Sequence, residues 1–358
     1  MTLMLAIVAD DLTGALDTSA PFVASGLKVA VAMTPEATVK ALASEPDIFA
    51  VSTASRALPA DVASTRVRDV AKRLMPHAPA IVMKKIDSRL KGNVGAEADA
   101  LAEASGRNAL VVAPAVPDQG RATRDGAVVG RGVDAPLPVL AAFAGSQRRV
   151  TVRNAATDAD LDLVVADTDW SDAVAVGARG LGLAFARGLH ASFRPAVAPT
   201  SDRNVLFAFG SRDPITDQQM ARLLQDNPDA GVADALNGLF ALPDDTTLPV
   251  VVRCIGEMVE EPARIAARFA EQVANAVERL RPSTLVMGGG DTALAILGAL
   301  GADVLFPQGE VAPGLPWFTI ATRHGEGLRC VVKSGGFGTV AVLSDLLRPP
   351  SREQAEHT

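Results

Sequence analysis

A run of charged and polar residues directly follows an apolar segment near the first quarter of the chain. Residues 80–82 are apolar, and residues 83–95 have the sequence MKKIDSRLKGNVG. The closing Gly-Asn-Val-Gly opens a helical pattern over residues 96–103. Free backbone N–H groups at a helix start, beside several cations, bind carboxylate or phosphate. The spacing therefore predicts a site for a small, oxygen-rich anion.

The first residues of the chain have the same layout. Residues 3–9 are apolar, Asp10 and Asp11 follow them, and a helical pattern begins near Leu12. Ligands of open α/β sheets bind at the carboxyl ends of the strands, so we expect both carboxylates at the ligand edge. A carboxylate there can take the proton of a hydroxyl group, but aspartate is also a favoured N-cap. We expect one of the pair to cap the helix and the other to do chemistry.

Three glycine turns in the second half each follow a predicted strand. They are GSRDP at residues 210–214, GGGDTA at 288–293 and KSGGFG at 333–338. Glycine lets the backbone approach a ligand closely, and a helix N-terminus favours phosphate. One such turn is often explained by packing alone. Three of them in one half of the chain predict a shared polyphosphate site.

The turn at residues 288–293 also permits a different nucleotide. It fits the G-x-G-x-x-A fingerprint of dinucleotide-binding domains, and Glu310 follows about twenty residues later, as a ribose-binding acid does. An NAD(P)-dependent dehydrogenase of a small hydroxy acid is therefore an alternative. Against it, Glu310 lies in a turn-rich segment. A dehydrogenase also leaves residues 85–88 and the other two glycine turns without a role.

Composition limits the class of protein further. The 358 residues are 48% hydrophobic and 21% charged, which is typical of a folded chain with two domains. Because the net charge is −7 and only 4% of residues are aromatic, we expect no nucleic-acid partner. We also expect no membrane span and no signal peptide, and hence a cytoplasmic location.

Cysteine and histidine usage gives no sign of a disulfide framework or a zinc site. Cys254 and Cys330 both lie in apolar, strand-like segments, so we expect two buried, reduced thiols. The four histidines are scattered along the chain, away from other ligands at metal-binding spacing.

Apolar runs alternate with helical patterns in two parts of the chain. In residues 1–195, strands are predicted at 3–9, 29–33, 48–52, 80–83, 109–114 and 163–166, and helices at 60–75 and 96–105. In residues 203–348, strands are predicted at 205–209, 250–255, 284–287, 318–321 and 330–333, and helices at 216–225, 265–280 and 291–300. The pattern predicts an α/β protein with two domains, each a mainly parallel sheet flanked by helices. Residues 195–202 are the predicted linker, and residues 349–358 are predicted to be a disordered tail.

These motifs resemble the four-carbon acid sugar kinase family. The matches lie at residues 9–15, 85–88, 91–97, 114–121, 210–219, 288–292, 313–317 and 333–338, in the family's order. The resemblance implies ATP-dependent phosphorylation of a hydroxyl of a four-carbon sugar acid, such as threonate, erythronate or their oxo forms. It implies an N-terminal sugar-acid domain, a C-terminal nucleotide domain and an active site in the cleft between them. Mg²⁺ is expected to accompany ATP.

The resemblance also implies which residues carry the activity. Asp11 is the expected general base, with Asp10 as the alternative. The sugar-acid side comprises Arg56, Lys85, Asp87, Ser88, Arg89 and Arg121. The nucleotide side comprises Ser211, Gly288, Gly289, Gly290, Asp291 and Gly335. Asp87 and Ser88 are expected to hold substrate hydroxyls. Arg56, Lys85 and Arg89 are expected to neutralise the carboxylate of the acid, and Arg121 to reach the acid or the transferring phosphate.

Several positions are left open by the sequence. For Lys84, a solvated surface charge is one of two interpretations. The Mg²⁺ ligands are unknown, with Asp291 as a candidate. The chain departs from the family pattern at Arg89, Lys91, Asp213 and Asp291, and residues 136–148 match no family segment. A specialised substrate, a catalytically inactive sugar-acid-binding homologue and a homo-oligomer therefore all remain open.

Overall fold

The computed structural model describes residues 3–189, 203–210, 213–256 and 260–348. These residues divide into two units. The first unit contains residues 3–189 and 303–307, and the second contains the described residues of 203–302 and 308–348. The linker predicted at 195–202 and the tail predicted at 349–358 lie outside the described residues.

The described part of the chain contains eighteen strands and ten α-helices. The strands are β1 (Leu5–Ala9), β2 (Val29–Ala32), β3 (Ile48–Ser52), β4 (Ile81–Lys85), β5 (Ala109–Ala113), β6 (Arg121–Arg124), β7 (Ala127–Gly130), β8 (Leu137–Pro138), β9 (Arg149–Val152), β10 (Ala173–Gly177), β11 (Val205–Phe209), β12 (Gly231–Leu236), β13 (Val250–Ile255), β14 (Thr284–Gly288), β15 (Val304–Leu305), β16 (Gly309–Ala312), β17 (Leu315–Ala321) and β18 (Gly327–Lys333). The helices are α1 (Leu12–Ser19), α2 (Thr38–Leu42), α3 (Ala60–Leu74), α4 (Val94–Ser105), α5 (Asp158–Ala166), α6 (Arg179–Leu189), α7 (Pro214–Asp226), α8 (Pro262–Leu280), α9 (Gly290–Ala299) and α10 (Val342–Asp345).

The first unit is built on an eight-stranded sheet. The strand order is β15-β2-β3-β1-β4-β10-β5-β9, and every pair is parallel except β15 with β2. Strands β1, β3, β5 and β10 consist of fully buried residues, as expected of strands covered on both faces. Val8 of β1 shares a core with Val67 of α3 and Leu101 of α4. A separate antiparallel sheet contains β6, β7 and β8.

The second unit is built on a seven-stranded sheet. The strand order is β12-β13-β11-β14-β18-β17-β16. The first five strands in this order are parallel, and β17 and β16 continue the sheet in antiparallel pairs. Phe207 of β11, Leu223 of α7 and Leu343 of α10 belong to one buried core. The strands that precede the three glycine turns are therefore direct neighbours, in the order β11, β14 and β18.

The predicted class is confirmed: the chain is α/β, with two domains that each carry a mainly parallel sheet flanked by helices. The strand predicted at 163–166 is wrong, because these residues are the end of α5. Thr157 and Asp160 form a capping box that starts this helix. That pair could have been recognised in the sequence, whereas a short apolar run alone does not separate strand from helix.

Two other expectations also need correction. Strands β6 to β9, β12, β15 and β16 were not predicted, because they are short or partly exposed. Strand β10 was missed as well, although its five residues are fully buried. Cys330 is buried as expected, but Cys254 is only half-buried. Within the described residues, none of the helices has the length and apolar character needed to cross a lipid bilayer.

Candidate active site

Three neighbouring strands of the first unit deliver polar residues to one edge of the sheet. The strands β3, β1 and β4 lie side by side and are parallel. Arg56 follows β3, Asp10 and Asp11 follow β1, and Lys85 is the last residue of β4. Because the carboxyl ends of parallel strands meet at the same edge, four predicted site residues come together.

Arg56 joins the two aspartates. Its Nε and Nη2 donate to the two carboxylate oxygens of Asp10 at 2.8 Å each, and its Nη1 donates to Asp11 Oδ2 at 2.8 Å. Paired in this way, Arg56 neutralises aspartates of its own chain. The expectation that it neutralises the carboxylate of the acid finds no support in these contacts.

The two aspartates have different environments. Asp11 caps α1, since its Oδ1 accepts from the Gly14 N–H and its Oδ2 from the Thr13 hydroxyl, both at 2.8 Å. Asp10 is more deeply buried, with 5% of its side chain exposed against 14% for Asp11. Burial acts to raise the pKa of Asp10, but the hydrogen bonds from Arg56 and the charges of Lys84, Arg56 and Lys85 together outweigh it and hold that pKa below its ordinary value. Asp10 therefore stays ionised.

Lys85 lies against the first turn of α1. A Cβ built on Gly14 would be 2.6 Å from Asp11 Oδ1 and 2.8 Å from Lys85 Nζ, so both groups crowd this turn. Further along α1, Asp17 is buried, and burial raises its pKa despite the nearby charges of Lys85 and Arg179. Asp17 was not predicted as a site residue, because its apolar neighbours in the sequence suggested only a buried helix.

Lys84 forms a buried ion pair. Its side chain and that of Glu97 on α4 are each 1% exposed, and Nζ lies 2.9 Å from Glu97 Oε2. The other carboxylate oxygen of Glu97 accepts from the Ser55 hydroxyl at 2.9 Å. The interpretation of Lys84 as a solvated surface charge is therefore wrong. Through Ser55, Glu97 contacts the segment that carries Arg56. The sequence did not indicate this contact, because Glu97 lies in a helical pattern.

The segment after β4 presents a serine and two arginines. Ser88 is 9% exposed, and its hydroxyl accepts from Arg121 Nη1 at 2.6 Å. Asp87 accepts from the backbone N–H of Arg89 at 2.8 Å. Burial, followed by the charge of Arg89, lowers the pKa of Arg121, so these two guanidinium groups are close. Within the described residues, the Arg89 guanidinium has no hydrogen-bond or ion-pair partner. The structure therefore brings Ser88, Arg89 and Arg121 together as an anion-attracting group.

Gln119 is a polar residue of this edge that the sequence did not single out. It is 7% exposed, and neither its Nε2 nor its Oε1 has a partner within the described residues. A buried amide without a partner is costly, which makes it a candidate ligand contact.

The three glycine turns of the second unit follow β11, β14 and β18, which are neighbours. The first two turns touch, because a Cβ on Gly210 would lie 2.2 Å from Thr292 Oγ1. The second and third are joined by a hydrogen bond of 3.2 Å from the Gly289 N–H to the Lys333 carbonyl. The predicted convergence on one place is thus seen in the geometry. Ser211, a further predicted residue of this site, lies outside the described residues.

The start of α9 offers donors to a ligand. Gly289 precedes the helix with φ 94°, a conformation that favours glycine, and makes no side-chain cap. The N–H groups of Gly290, Asp291 and Thr292 donate to no acceptor within the described ranges. Asp291 has an exposed side chain in this first turn. Free N–H groups at a helix start are a ready site for phosphate.

The dehydrogenase alternative requires an acidic residue beside β14, the strand that precedes the glycine turn at 288–293. Glu310 does not lie there. It lies on β16 at the edge of the sheet, separated from β14 by β17 and β18. Its Oε1 accepts from the Gly314 N–H at 2.9 Å within the β16–β17 hairpin. Glu310 therefore stabilises a hairpin and has no place next to a ribose. Within the described ranges, no three His, Cys, Asp or Glu side chains are grouped as metal ligands.

Comparison with known proteins gives the family. Residues 5–139 match the model of a sugar-binding N-terminal domain, and residues 206–343 match that of a nucleotide-binding C-terminal domain. The D-threonate kinase of Bordetella bronchiseptica is 31% identical over 94% of this chain and 95% of that protein. The chain therefore belongs to the four-carbon acid sugar kinase family.

Other relatives carry related names. The D-threonate kinase of Salmonella typhimurium is 28% identical over 95% of this chain and 97% of that protein. The 3-oxo-tetronate kinase of Methylobacterium radiotolerans is 28% identical over 94% of this chain and 97% of that protein. The alignment with the Salmonella protein runs over 412 positions, more than the 358 residues of this chain, so that relative has residues where this chain has none.

Solved structures support the fold. A protein from Salmonella typhimurium LT2 superposes with a TM-score of 0.72 at 18% identity, covering 97% of this chain and 99% of that one. A Haemophilus influenzae protein superposes with a TM-score of 0.64, also at 18% identity, covering 95% and 98%. At this identity the likeness shows the fold alone.

Proposed function

We propose that this protein is an ATP-dependent kinase that phosphorylates a hydroxyl group of a four-carbon sugar acid. The observation that carries the proposal is the convergence of three glycine turns at neighbouring strand ends, with unpaired N–H groups at the start of α9. That geometry suits the phosphates of a nucleotide. Membership of the kinase family supports the same conclusion.

On the nucleotide side, Gly288, Gly289, Gly290 and Gly335 let the backbone approach the phosphates, and Ser211 is proposed to bind them as well. Asp291 presents one exposed carboxylate beside these turns. This suits Mg²⁺, which is often held by one or two carboxylates together with phosphate oxygens and water. When bound, Mg²⁺ supplies charge neutralisation on the phosphate oxygens.

On the acid side, Asp11 is proposed as the general base. It is the more exposed carboxylate of the pair, and Arg56 and Thr13 fix its orientation. Asp11 takes the proton of the substrate hydroxyl, whose oxygen forms a bond to the γ-phosphorus, while ADP departs with the electrons of the broken P–O bond. The helix cap and the base are then the same residue. Asp10 keeps Arg56 in place.

The carboxylate of the acid is assigned to Arg89 and Lys85. Within the described part of the chain, Arg89 has no partner of its own, and a guanidinium binds a carboxylate well through two parallel hydrogen bonds. Ser88, Asp87 and Gln119 are proposed to contact substrate hydroxyls, and Arg121 to hold Ser88 and attract the anion. Relatives named for D-threonate, D-erythronate and 3-oxo-tetronate give the substrate candidates.

The proposal is tested by measuring ADP release from ATP with each of these three acids, with and without Mg²⁺. We expect release that depends on one acid and on Mg²⁺. A chain that binds an acid but turns over no ATP with any of them is instead an inactive sugar-acid-binding homologue. A shift of the melting temperature by NAD and not by ADP would favour the dehydrogenase; a ligand at a hundred times its Kd contributes about 2.7 kcal/mol of stability.

A further inference from the structure

Lys333, the last residue of β18, is completely buried with its amino group among oxygens. Nζ lies 2.8 Å from the Gly335 carbonyl oxygen, 3.2 Å from that of Ser334 and 3.0 Å from Thr216 Oγ1. An ammonium group has three N–H donors. Each of the three donors of Lys333 therefore has an acceptor, and two of these acceptors belong to the glycine turn that follows the strand.

These contacts fix the orientation of two successive peptide groups. A trans peptide is planar, so its N–H points away from its C=O. Because Lys333 holds the carbonyls of Ser334 and Gly335, the N–H groups of Gly335 and Gly336 point away from the buried amine. Neither N–H donates to an acceptor within the described ranges, and both glycines are partly exposed. Two neighbouring free N–H groups thus face the accessible side of the turn.

Helix α7 holds the rest of the turn from the same side. Thr216 Oγ1 donates to the Gly335 carbonyl at 3.4 Å. Gln219 Nε2 donates to the carbonyls of Phe337 and Thr339 at 3.0 and 2.9 Å. Side chains of Lys333 and α7 therefore bind four carbonyls of this segment, and these contacts keep the N–H groups of Gly335 and Gly336 directed outward.

The carboxylate nearest to this turn is that of Asp213, since a Cβ built on Gly335 would lie 3.2 Å from Asp213 Oδ2. Among the described residues no carboxylate lies within ion-pair distance of Nζ. Burial lowers the pKa of Lys333 to about 8, and the charge of Asp213, at the start of α7, opposes this shift. The residue paired with Lys333 on β14 is Gly288, which has no side-chain charge. A buried cation behind two outward N–H groups favours an anion in front of them.

We propose that Lys333 is a positioning residue for nucleotide binding, which orients the N–H groups of Gly335 and Gly336 towards a phosphate of ATP or ADP. This role rests on the proposed function, since it needs a nucleotide to be the ligand of the second unit. Lys333 itself does not touch the phosphate. It acts through the peptide groups and through its charge.

The first test is the affinity of the full chain for Mg·ADP by calorimetric titration. Lys333→Met removes the donors and the charge, and we expect the Kd to rise by about tenfold or more, because a hydrogen bond to a charged group is among the stronger ones. Thr216→Val removes one acceptor and should raise the Kd less. Lys84→Met is the matched control, since it also removes a buried lysine, here the second-last residue of β4. It should leave the Mg·ADP Kd within about twofold.

The second test uses the pH dependence of the wild type. Lys333 is charged below about pH 8, and the neutral amine formed above it has only two N–H donors for three oxygens. The Kd for Mg·ADP should therefore rise between pH 7 and 9, a range in which the terminal phosphate, with a pKa near 6, is already ionised. Lys333→Arg keeps its charge throughout this range, so its Kd should not follow the same rise.

The outcomes separate this role from the proposed function. A wild type that binds an acid but no ADP refutes the nucleotide site itself, and this role with it. A wild type that binds ADP with a Kd constant from pH 7 to 9, or a folded Lys333→Met variant with unchanged affinity, overturns the positioning role alone. The wild-type pH profile decides the matter even where Lys333→Met does not fold.

Discussion

Two buried lysines stand at the ends of strands in the two units, and their partners differ. Lys84, on β4 of the first unit, meets the carboxylate of Glu97 at 2.9 Å. Lys333, on β18 of the second unit, meets a hydroxyl and two backbone carbonyls. Because a carboxylate cancels the charge of Lys84, that lysine supports the fold beneath its site. Lys333 has no carboxylate within ion-pair distance among the described residues, and our proposal directs its charge to a phosphate.

The same contrast extends to the surrounding residues. In the first unit, Arg56 is paired with Asp10 and Asp11, so the proposed function assigns the carboxylate of the acid to Lys85 and Arg89 instead. In the second unit, the donors near the turns are backbone N–H groups without acceptors among the described residues. Paired acidic and basic side chains can both accept hydrogen bonds from hydroxyl groups and donate to them. Backbone N–H groups can only donate, which suits phosphate. The function of a buried cation therefore depends on the group with which it is paired.

Breaking the Lys84–Glu97 pair should have the largest effect on stability. Lys84→Met leaves the Glu97 carboxylate buried without its cation, and removing one partner of such a pair costs about 3–5 kcal/mol. Lys333→Met orphans no carboxylate and should cost less, about 1–3 kcal/mol for the unsatisfied oxygens. Urea denaturation measures both. Equal losses would remove the contrast between the two lysines, and the double variant Lys84→Met/Glu97→Leu should recover much of the loss.

Replacing the proposed base should lower catalysis without unfolding the first unit. Asparagine caps a helix as well as aspartate does, so Asp11→Asn keeps the cap of α1. We expect kcat to fall by about a hundredfold or more, with the ADP Kd near that of the wild type. Steady-state kinetics and titration check this. Normal turnover would leave Asp11 as a cap only and would move the role of base to Asp10.

Filling the glycine turn should affect the nucleotide alone. Gly290→Val places a β-branched side chain at the start of α9, and we expect the KM for ATP to rise by about tenfold or more. Gly298→Val is a matched control on the same helix, because a Cβ at Gly298 has no atom within 4 Å. Similar ATP kinetics in the two variants would take this turn out of the nucleotide site.

Removing the unpaired arginine of the first unit should have the smallest effect. Arg89→Ala should raise the KM for the acid by about fivefold, as for an ion pair of about 1 kcal/mol, and leave the ADP Kd within about twofold. Lys91→Ala removes an exposed cation of the same loop and serves as the control. If the two variants weaken the acid equally, the effect is one of general charge. If Arg89→Ala weakens both ligands, the division of ligands between the units is wrong.

Local patterns in the sequence are enough to predict many of the buried elements and the kinds of chemistry. Buried parallel strands consist mostly of apolar residues, so β3, β11 and β13 could be predicted at their observed bounds. Aspartates and glycines directly after such strands indicated the ligand edges. Short, partly exposed strands such as β7 were missed, because they bury too few residues to leave a pattern.

Which residues come into contact could not be predicted from local patterns. The neighbourhood of β11, β14 and β18 depends on the order of strands in the sheet, which local periodicity does not encode. Whether Arg56 faces its own aspartates or a ligand, and whether Lys84 finds Glu97, depends on contacts between residues more than ten positions apart. The neighbouring residues in the sequence do not show whether a charged side chain is solvated, forms an ion pair or binds a ligand. Its role follows from the partners that folding brings within hydrogen-bond distance.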